Sequence, residues 1–334
     1  MRLDETVNHY LLNLEYRRYS EHTRIGYRRA LLVLVALLDR LYGVVGLEQV
    51  TVLHLRQCAQ HLLTVSLERV GRGRLPDNGL TLSESSVCVY IQRWKTFFTW
   101  CFKEELIEKD PGVRLEYPKV DERVIDAFSE QQIEQMLDVF DLTTEGGFRD
   151  YVIILLMLDT GIRRSEVAML CVEDVHETYI SVFGKGRKER QIGIHPQVNN
   201  LLWKYIHKHR RPATPDEPVL FLSLSRNHAG TPFGRGGMYG LMSRLKAKTG
   251  IDEVRLSAHT FRHTFACLYL DAGGDVFSLS RELGHTKVST TEKYLKSFTS
   301  KNARMHHSEH SPINRIKLRT QRNKGKGNDK GQRK

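Results

Sequence analysis

Thr178-Tyr179-Ile180-Ser181-Val182-Phe183, then Gly184-Lys185-Gly186-Arg187-Lys188, then Glu189-Arg190-Gln191-Ile192-Gly193-Ile194: this stretch decides the fold class of a 334-residue chain. Two short runs rich in β-branched and aromatic residues flank a basic loop whose glycines suit positive φ, which predicts an antiparallel β-hairpin. On both sides of it apolar residues recur at helical spacing instead. The chain is therefore expected to be mainly α, with one small antiparallel sheet in its second part.

Working outward, helices are expected downstream at 198–209, 238–248, 258–272, 277–283 and 289–295. Upstream, 148–159 reads as a buried helix stopped by Gly161, and Ser129 with Gln132 has the form of a capping box. Asp110-Pro111-Gly112 closes an earlier helical bundle. In that bundle Ser20 caps a helix whose Ile25, Leu31, Leu32, Val35 and Leu38 are expected on one face, ending near Gly43. Further helices are expected at 4–16, 52–65 and 85–105, the last with Tyr90, Trp94, Phe97 and Phe98 at helical spacing. The expected organisation is a helical domain at 1–112, a linker at 113–127, a second domain at 128–311 and a basic disordered tail at 312–334.

With 40% hydrophobic and 27% charged residues the body is of ordinary globular composition, which excludes a wholly disordered chain. The longest apolar run, Ala30 to Leu38, is half the roughly 18 residues a membrane span needs. The first residues lack the apolar segment of a signal peptide, so no membrane partner is expected and a cytoplasmic location is. Net charge is +12, but Arg315 to Lys334 carries nine Lys/Arg and one acid, leaving only +4 for the rest. Any nucleic-acid contact by the body must therefore come from local patches. Five scattered cysteines with no paired spacing predict neither a disulfide framework nor a zinc site.

Taken singly, the candidate chemical groups are unremarkable. Arg163 follows the helix-stopping Gly161, with Glu166 one turn on; such a pair is usually solvated. His259 and Arg262 share a helix face, with Phe261 turned to the core. His285 follows Gly284, and Tyr294 lies on an amphipathic stretch where packing is the plainer role. Together they differ. Two arginines, a lysine in a glycine-flanked hairpin, two histidines and a tyrosine meet the needs of metal-free phosphoryl transfer. Those needs are cations for the charged transition state, a proton donor, a proton acceptor and an oxygen nucleophile.

This combination resembles the tyrosine recombinase/integrase family, of phage, transposon and Xer-like simple recombinases. Thr160-Gly161-Ile162-Arg163 with Ser165-Glu166, the lysine hairpin, His259-Thr260-Phe261-Arg262, Leu283-Gly284-His285 and Tyr294 match its motifs in order and spacing, over about residues 10 to 300. Ile162 and Phe261 stand where Leu is commoner. The resemblance implies an N-terminal SAM-like helical core-binding domain and a C-terminal α+β catalytic domain. It implies that Tyr294 attacks the scissile phosphate, giving a 3′-phosphotyrosyl intermediate, while Arg163 and Arg262 hold the non-bridging oxygens. Lys185 would protonate the leaving 5′-oxygen, His259 would be the general base, His285 would donate to the phosphate, and Glu166 would support Arg163. No metal, nucleotide or other cofactor is implied. The expected partners are double-stranded DNA with paired inverted-repeat core sites and a homotetramer in the synaptic complex, from a monomer in solution. DNA contact is expected from Arg24, Arg28, Arg29, Gln92, Arg93 and Lys95, and from loop residues Arg72 and Arg74. A type IB topoisomerase or hairpin telomere resolvase shares the nucleophile and much of the pocket, and relaxation without recombinant product would mark the topoisomerase. A non-catalytic DNA-binding regulator on this fold should have lost pocket residues, and none is lost here.

Overall fold

The computed structural model describes residues 1–64, 81–120, 126–184, 189–285, 288–291 and 294. The chain divides into two compact units, Met1–Glu122 and Arg123–Lys334.

In the first unit the described helices are α1 (Leu3–Tyr16), α2 (Glu21–Tyr42), α3 (Val52–Thr64) and α4 (Glu84–Lys103). Helix α2 starts where the Ser20 hydroxyl accepts from the Thr23 amide at 3.3 Å, and stops at Gly43 with φ 62°. Its apolar face differs from the expected one. Ala30, Leu31, Leu34, Leu37 and Leu38 are buried, while Ile25 and Leu32 are 53% and 39% exposed. The buried set keeps the i, i+3, i+4, i+7 spacing that one helix face demands, and Ile25 and Leu32 fall off it. Trp94 of α4 is fully buried and its indole donates to Ala30 O at 2.9 Å, fixing α4 against α2. Truncating it to Ala should cost about 3–5 kcal/mol. The division between the units falls inside the expected linker, 113–127. Leu115 is buried in the bundle's core, and Lys95 donates to its carbonyl at 2.7 Å.

The second unit is built on α6 (Glu145–Thr160), which opens with the Thr144 hydroxyl accepting from the Gly147 amide. It follows α5 (Glu130–Asp138), whose Ser129/Gln132 capping box is present in both halves. A single turn, α7 (Arg164–Val167), leads on to strands β1 (Tyr179–Phe183) and β2 (Glu189–Gly193). The strands pair antiparallel with Tyr179 opposite Gly193 and Val182 opposite Arg190. Helix α8 (Pro196–Lys204) was expected to run to residue 209. It widens at Tyr205–His209 into a π turn, with Arg210 N donating to Tyr205 O at 2.8 Å. Then come α9 (Gly234–Thr249), α10 (Ala258–Asp271) and α11 (Val276–Leu283).

Ile153, Leu156 and Met157 of α6 meet Phe261 of α10, Leu202 of α8 and Ile180 of β1 in one apolar core. A buried ion network secures the outer end of α6. Asp150 accepts from Arg149 at 2.6 Å and from Arg244 of α9 at 2.7 Å, and Arg149 also donates to Leu222 O. Among the described residues no helix is long and apolar enough to cross a membrane.

Candidate active site

Two helices end at the same place. Gly161, with φ 57°, stops α6, and Gly284, with φ 62°, stops α11. A left-handed C-cap needs glycine, and it leaves last-turn carbonyls without helical partners. Arg262 of α10 takes up two carbonyls at these caps, donating to Gly161 O at 2.8 Å and to Leu283 O at 2.6 Å. It is almost wholly buried and no carboxylate among the described residues pairs with it; the negative ends of two helices hold it instead. Burial, then the charge of Arg163, pushes its pKa down to about 10. It stays a cation at neutral pH.

A third Arg262 contact runs to His285 Nε2, at 2.8 Å. A guanidinium only donates, so Nε2 is the acceptor and Nδ1 carries the ring proton, which it gives to Thr291 Oγ1 at 2.8 Å. Burial, followed by the charges of Arg262, Arg163 and Arg190, pushes the His285 pKa down to about 4. The ring is neutral, and both nitrogens are engaged within the protein. In this arrangement His285 has no hydrogen to offer a phosphate, which departs from the role implied by resemblance.

Tyr294 is 8% exposed, in a small apolar cluster with Ala266, Leu270, Leu279 and Leu283. Its ring lies 6.3 Å from that of His285, nearly parallel, and 5.2 Å from that of His263. His259 stands one turn before Arg262 and is exposed. Partial burial, then Arg262, holds its pKa below the ordinary imidazole value.

Arg163 precedes α7, and Glu166 closes on it twice: Oε2 accepts the Arg163 amide at 2.9 Å, and Oε1 accepts its guanidinium at 2.8 Å. Arg163 also donates to Gly284 O at 3.1 Å, and its side chain is 36% exposed. The same Glu166 carboxylate receives both ends of the Arg190 guanidinium, each at 2.9 Å. Burial pushes the Glu166 pKa up, but the bonds and charges of Arg190 and Arg163 outweigh it, and the group titrates below its ordinary range.

The structure thus brings Arg163, Glu166, Arg262, His285 and Tyr294 together, with His259 on the helix that carries Arg262. Lys185 lies outside the described residues, as do Arg72, Arg74 and the basic tail. The expected DNA-contact residues of the first unit divide. Arg28, Arg29 and Gln92 are exposed. Arg24 is paired with Glu15 at 2.7 Å, Arg93 donates to Gly26 O at 2.9 Å, and Lys95 is held by Leu115 O. Each of those three holds a partner within the bundle.

Sequence reasoning missed Arg190, His263 and Thr291. For Arg190 the signal was strand parity: it shares the inward face of β2 with Ile192, and a cation there requires a counter-charge. His263 and Thr291 gave no comparable signal. Among the described residues no cluster of His, Cys, Asp or Glu is arranged to hold a metal ion. Cys58 and Cys101 are buried, which pushes their thiols up to about 12.

Comparison with known proteins gives this arrangement a family. The model of the phage integrase family matches residues 126–301. Tyrosine recombinase XerD of Staphylococcus haemolyticus is 33% identical over 226 residues, 66% of this chain and 74% of that protein. Tyrosine recombinase XerC of Neisseria meningitidis serogroup B is 30% identical over 308 residues, 90% of this chain and 93% of that protein. Among solved structures, the Tn1549 transposon integrase in complex with transposon right end DNA superposes with a TM-score of 0.70 at 21% identity, covering 92% of this chain and 99% of that one. A lambda integrase dimer bound to a COC′ core site gives 0.67 at 16% identity, covering 87% and 97%. At such identities the two structures speak for the fold. With a family model matched over more than half its length and recombinases aligned along most of the rest, the chain belongs to the phage integrase family of tyrosine recombinases.

Proposed function

We propose that this chain cuts and rejoins duplex DNA site-specifically, with Tyr294 as the nucleophile. The observation that carries this reading is the convergence of the Arg163 and Arg262 guanidinium groups beside a tyrosine, on the caps of two helices, with His285 stacked between. Such preorganised donors suit a phosphate whose charge grows in the transition state. The Tyr294 oxygen attacks phosphorus, the bond to the 5′-oxygen breaks, and a 3′-phosphotyrosyl enzyme and a 5′-hydroxyl result. His259 takes the phenol proton, and Lys185, assigned from its place in the sequence, protonates the leaving oxygen. Arg163 and Arg262 take the two non-bridging oxygens. When Arg262 gives up its bond to His285 Nε2, the neutral ring can change tautomer: the proton moves to Nε2 and faces the phosphate, and Nδ1 accepts from the Thr291 hydroxyl instead.

A second cationic surface lies beside α7. The Arg164 guanidinium sits 4.1 Å over the Tyr239 ring. Its hydrogen bond and charge, then the charges of Arg255 and Arg235, pull the Tyr239 phenol below its ordinary range. This patch, with exposed Arg28, Arg29 and Gln92 of the first unit, supports contact with DNA phosphates. On this reading the substrate is double-stranded DNA with paired inverted-repeat core sites, engaged by four copies of a chain that is monomeric when free.

The test is covalent capture on nicked suicide duplexes. The wild-type chain should form a protein–DNA adduct, and Tyr294→Phe should bind the same duplex without forming one. An adduct from the Phe variant would move the nucleophile elsewhere.

A further inference from the structure

Glu166 is shared in a way that bears on how much charge the pocket presents. An ionised carboxylate has about four lone-pair sites. Oε1 accepts Arg163 and Arg190, and Oε2 accepts the Arg163 amide and Arg190. All four are filled, and Arg190 fills two of them. It also donates through Nε to Glu282 O at 3.1 Å. Its side chain lies so close across the end of α11 that a Cβ on Gly284 would stand 2.9 Å from Arg190 Cδ and Nε. Gly284 O in turn accepts from Arg163. The Arg190 side chain is 14% exposed, against 36% for Arg163. Substrate therefore meets Arg163, while Arg190 works behind it.

We propose that Arg190 is a positioning residue for strand cleavage: by saturating Glu166 it keeps Arg163 from being neutralised, and so leaves the pocket the charge it needs for the phosphate. Three guanidinium groups against one carboxylate leave a net of +2. Remove Arg190 and the net falls to +1. Two lone pairs on Glu166 then open, and Arg163 can turn its second nitrogen onto them, away from Gly284 O and from the substrate. Arg190 touches no reacting atom; it acts through Glu166 on Arg163. This inference rests on the recombinase reading, and the test separates the two.

The experiment uses the full chain and a nicked duplex chosen from a randomised library by covalent capture on the wild type, at saturating protein. Arg190→Gln should slow adduct formation by about 10²-fold, the size expected when a transition-state donor is lost. Adding Glu166→Gln removes the carboxylate that Arg190 screened and returns the net to +2. The double variant should therefore recover at least about tenfold over Arg190→Gln alone. A merely structural role predicts the opposite, two losses that multiply or nearly so. Arg190→Lys keeps the charge without the two-pronged bond, and should lose about tenfold less than the Gln variant. A double variant slower than the single, or Lys and Gln variants equally slow, overturns the proposal. Binding of inorganic vanadate, followed by vanadium NMR, needs only the pocket. Affinity should fall in Arg190→Gln and return in the double variant, and unchanged affinity in Arg190→Gln also overturns the proposal. If the wild type captures no DNA whatever, the recombinase reading falls, and vanadate alone decides the role of Arg190.

Discussion

His285 shows how a residue's surroundings can set its protonation more firmly than its own chemistry does. The ordinary imidazole value is 6.5, and here it is pushed down to about 4. Between those two values the unfolded chain binds a proton that the folded chain refuses, so stability should decline as pH falls from 6.5 towards 4 and then level off. His285→Gln keeps an acceptor and a donor without titrating, so its melting temperature should fall less between pH 7 and pH 5 than the wild type's. Equal losses in paired thermal melts would mean that His285 is not the group responsible. The reason lies across the chain: Arg262, Arg163 and Arg190 face the ring from three other elements, and none is near it in sequence. The six expected catalytic residues could be picked from the sequence because each stands in a short motif. The state of this one could not, because it depends on charges gathered by folding.

At the scale of elements, what was legible followed from local chemistry. The Ser129/Gln132 box and the glycine stops at 43 and 161 all lie where the sequence marks them, since a cap is a matter of a few adjacent residues. The π turn after α8 and the true face of α2 were not legible, because tertiary packing chooses among helical registers that local propensity leaves nearly equal. Gly161 joins the two levels, since it ends α6 and also presents the carbonyl that seats Arg262. A Cβ there would meet Phe265 Cδ1 at 2.4 Å and Leu283 Cδ2 at 2.9 Å, on a backbone with φ 57°. Gly161→Ala should therefore destabilise the second unit by roughly 2–4 kcal/mol, left-handed strain and overpacking together. Urea denaturation would measure this, and adduct formation should drop with it because Arg262 loses its seat. A loss within about 0.5 kcal/mol would show that the cap is not under the strain its geometry implies.

For the whole molecule, the division into units was legible as two blocks of apolar periodicity separated by Asp110-Pro111-Gly112. The units divide at Glu122/Arg123, inside the linker expected at 113–127, while Leu115 within that stretch is buried with the first unit. Charge is distributed as unevenly as structure. The twenty residues from Arg315 onward carry +8 of the chain's +12 and contain no aromatic side chain to stack on bases. Their contact with DNA should be with phosphates, and each phosphate neutralised steepens the dependence of log affinity on log salt by about 0.9. Deleting Arg315 to Lys334 should weaken binding to specific and random duplexes by similar factors and flatten that slope. Titrations at several salt concentrations would show it; an unchanged slope would mean that the tail does not touch DNA.

The two arginines of the pocket also differ in how they would fare under mutation. Arg262 rests on main-chain carbonyls of Gly161 and Leu283; position 161 is held to glycine, but at 283 a carbonyl is supplied by whatever residue stands there. Substitutions at 283 that respect the apolar packing leave the acceptor in place, so while Gly161 is kept this seat is robust to drift. Arg163 depends on one carboxylate, and Glu166 must satisfy a second guanidinium as well. Few replacements can supply two oxygens at that reach. A lineage accumulating random substitutions would therefore loosen Arg163 long before it unseated Arg262, so cleavage could be lost while the buried end of the pocket still looked intact.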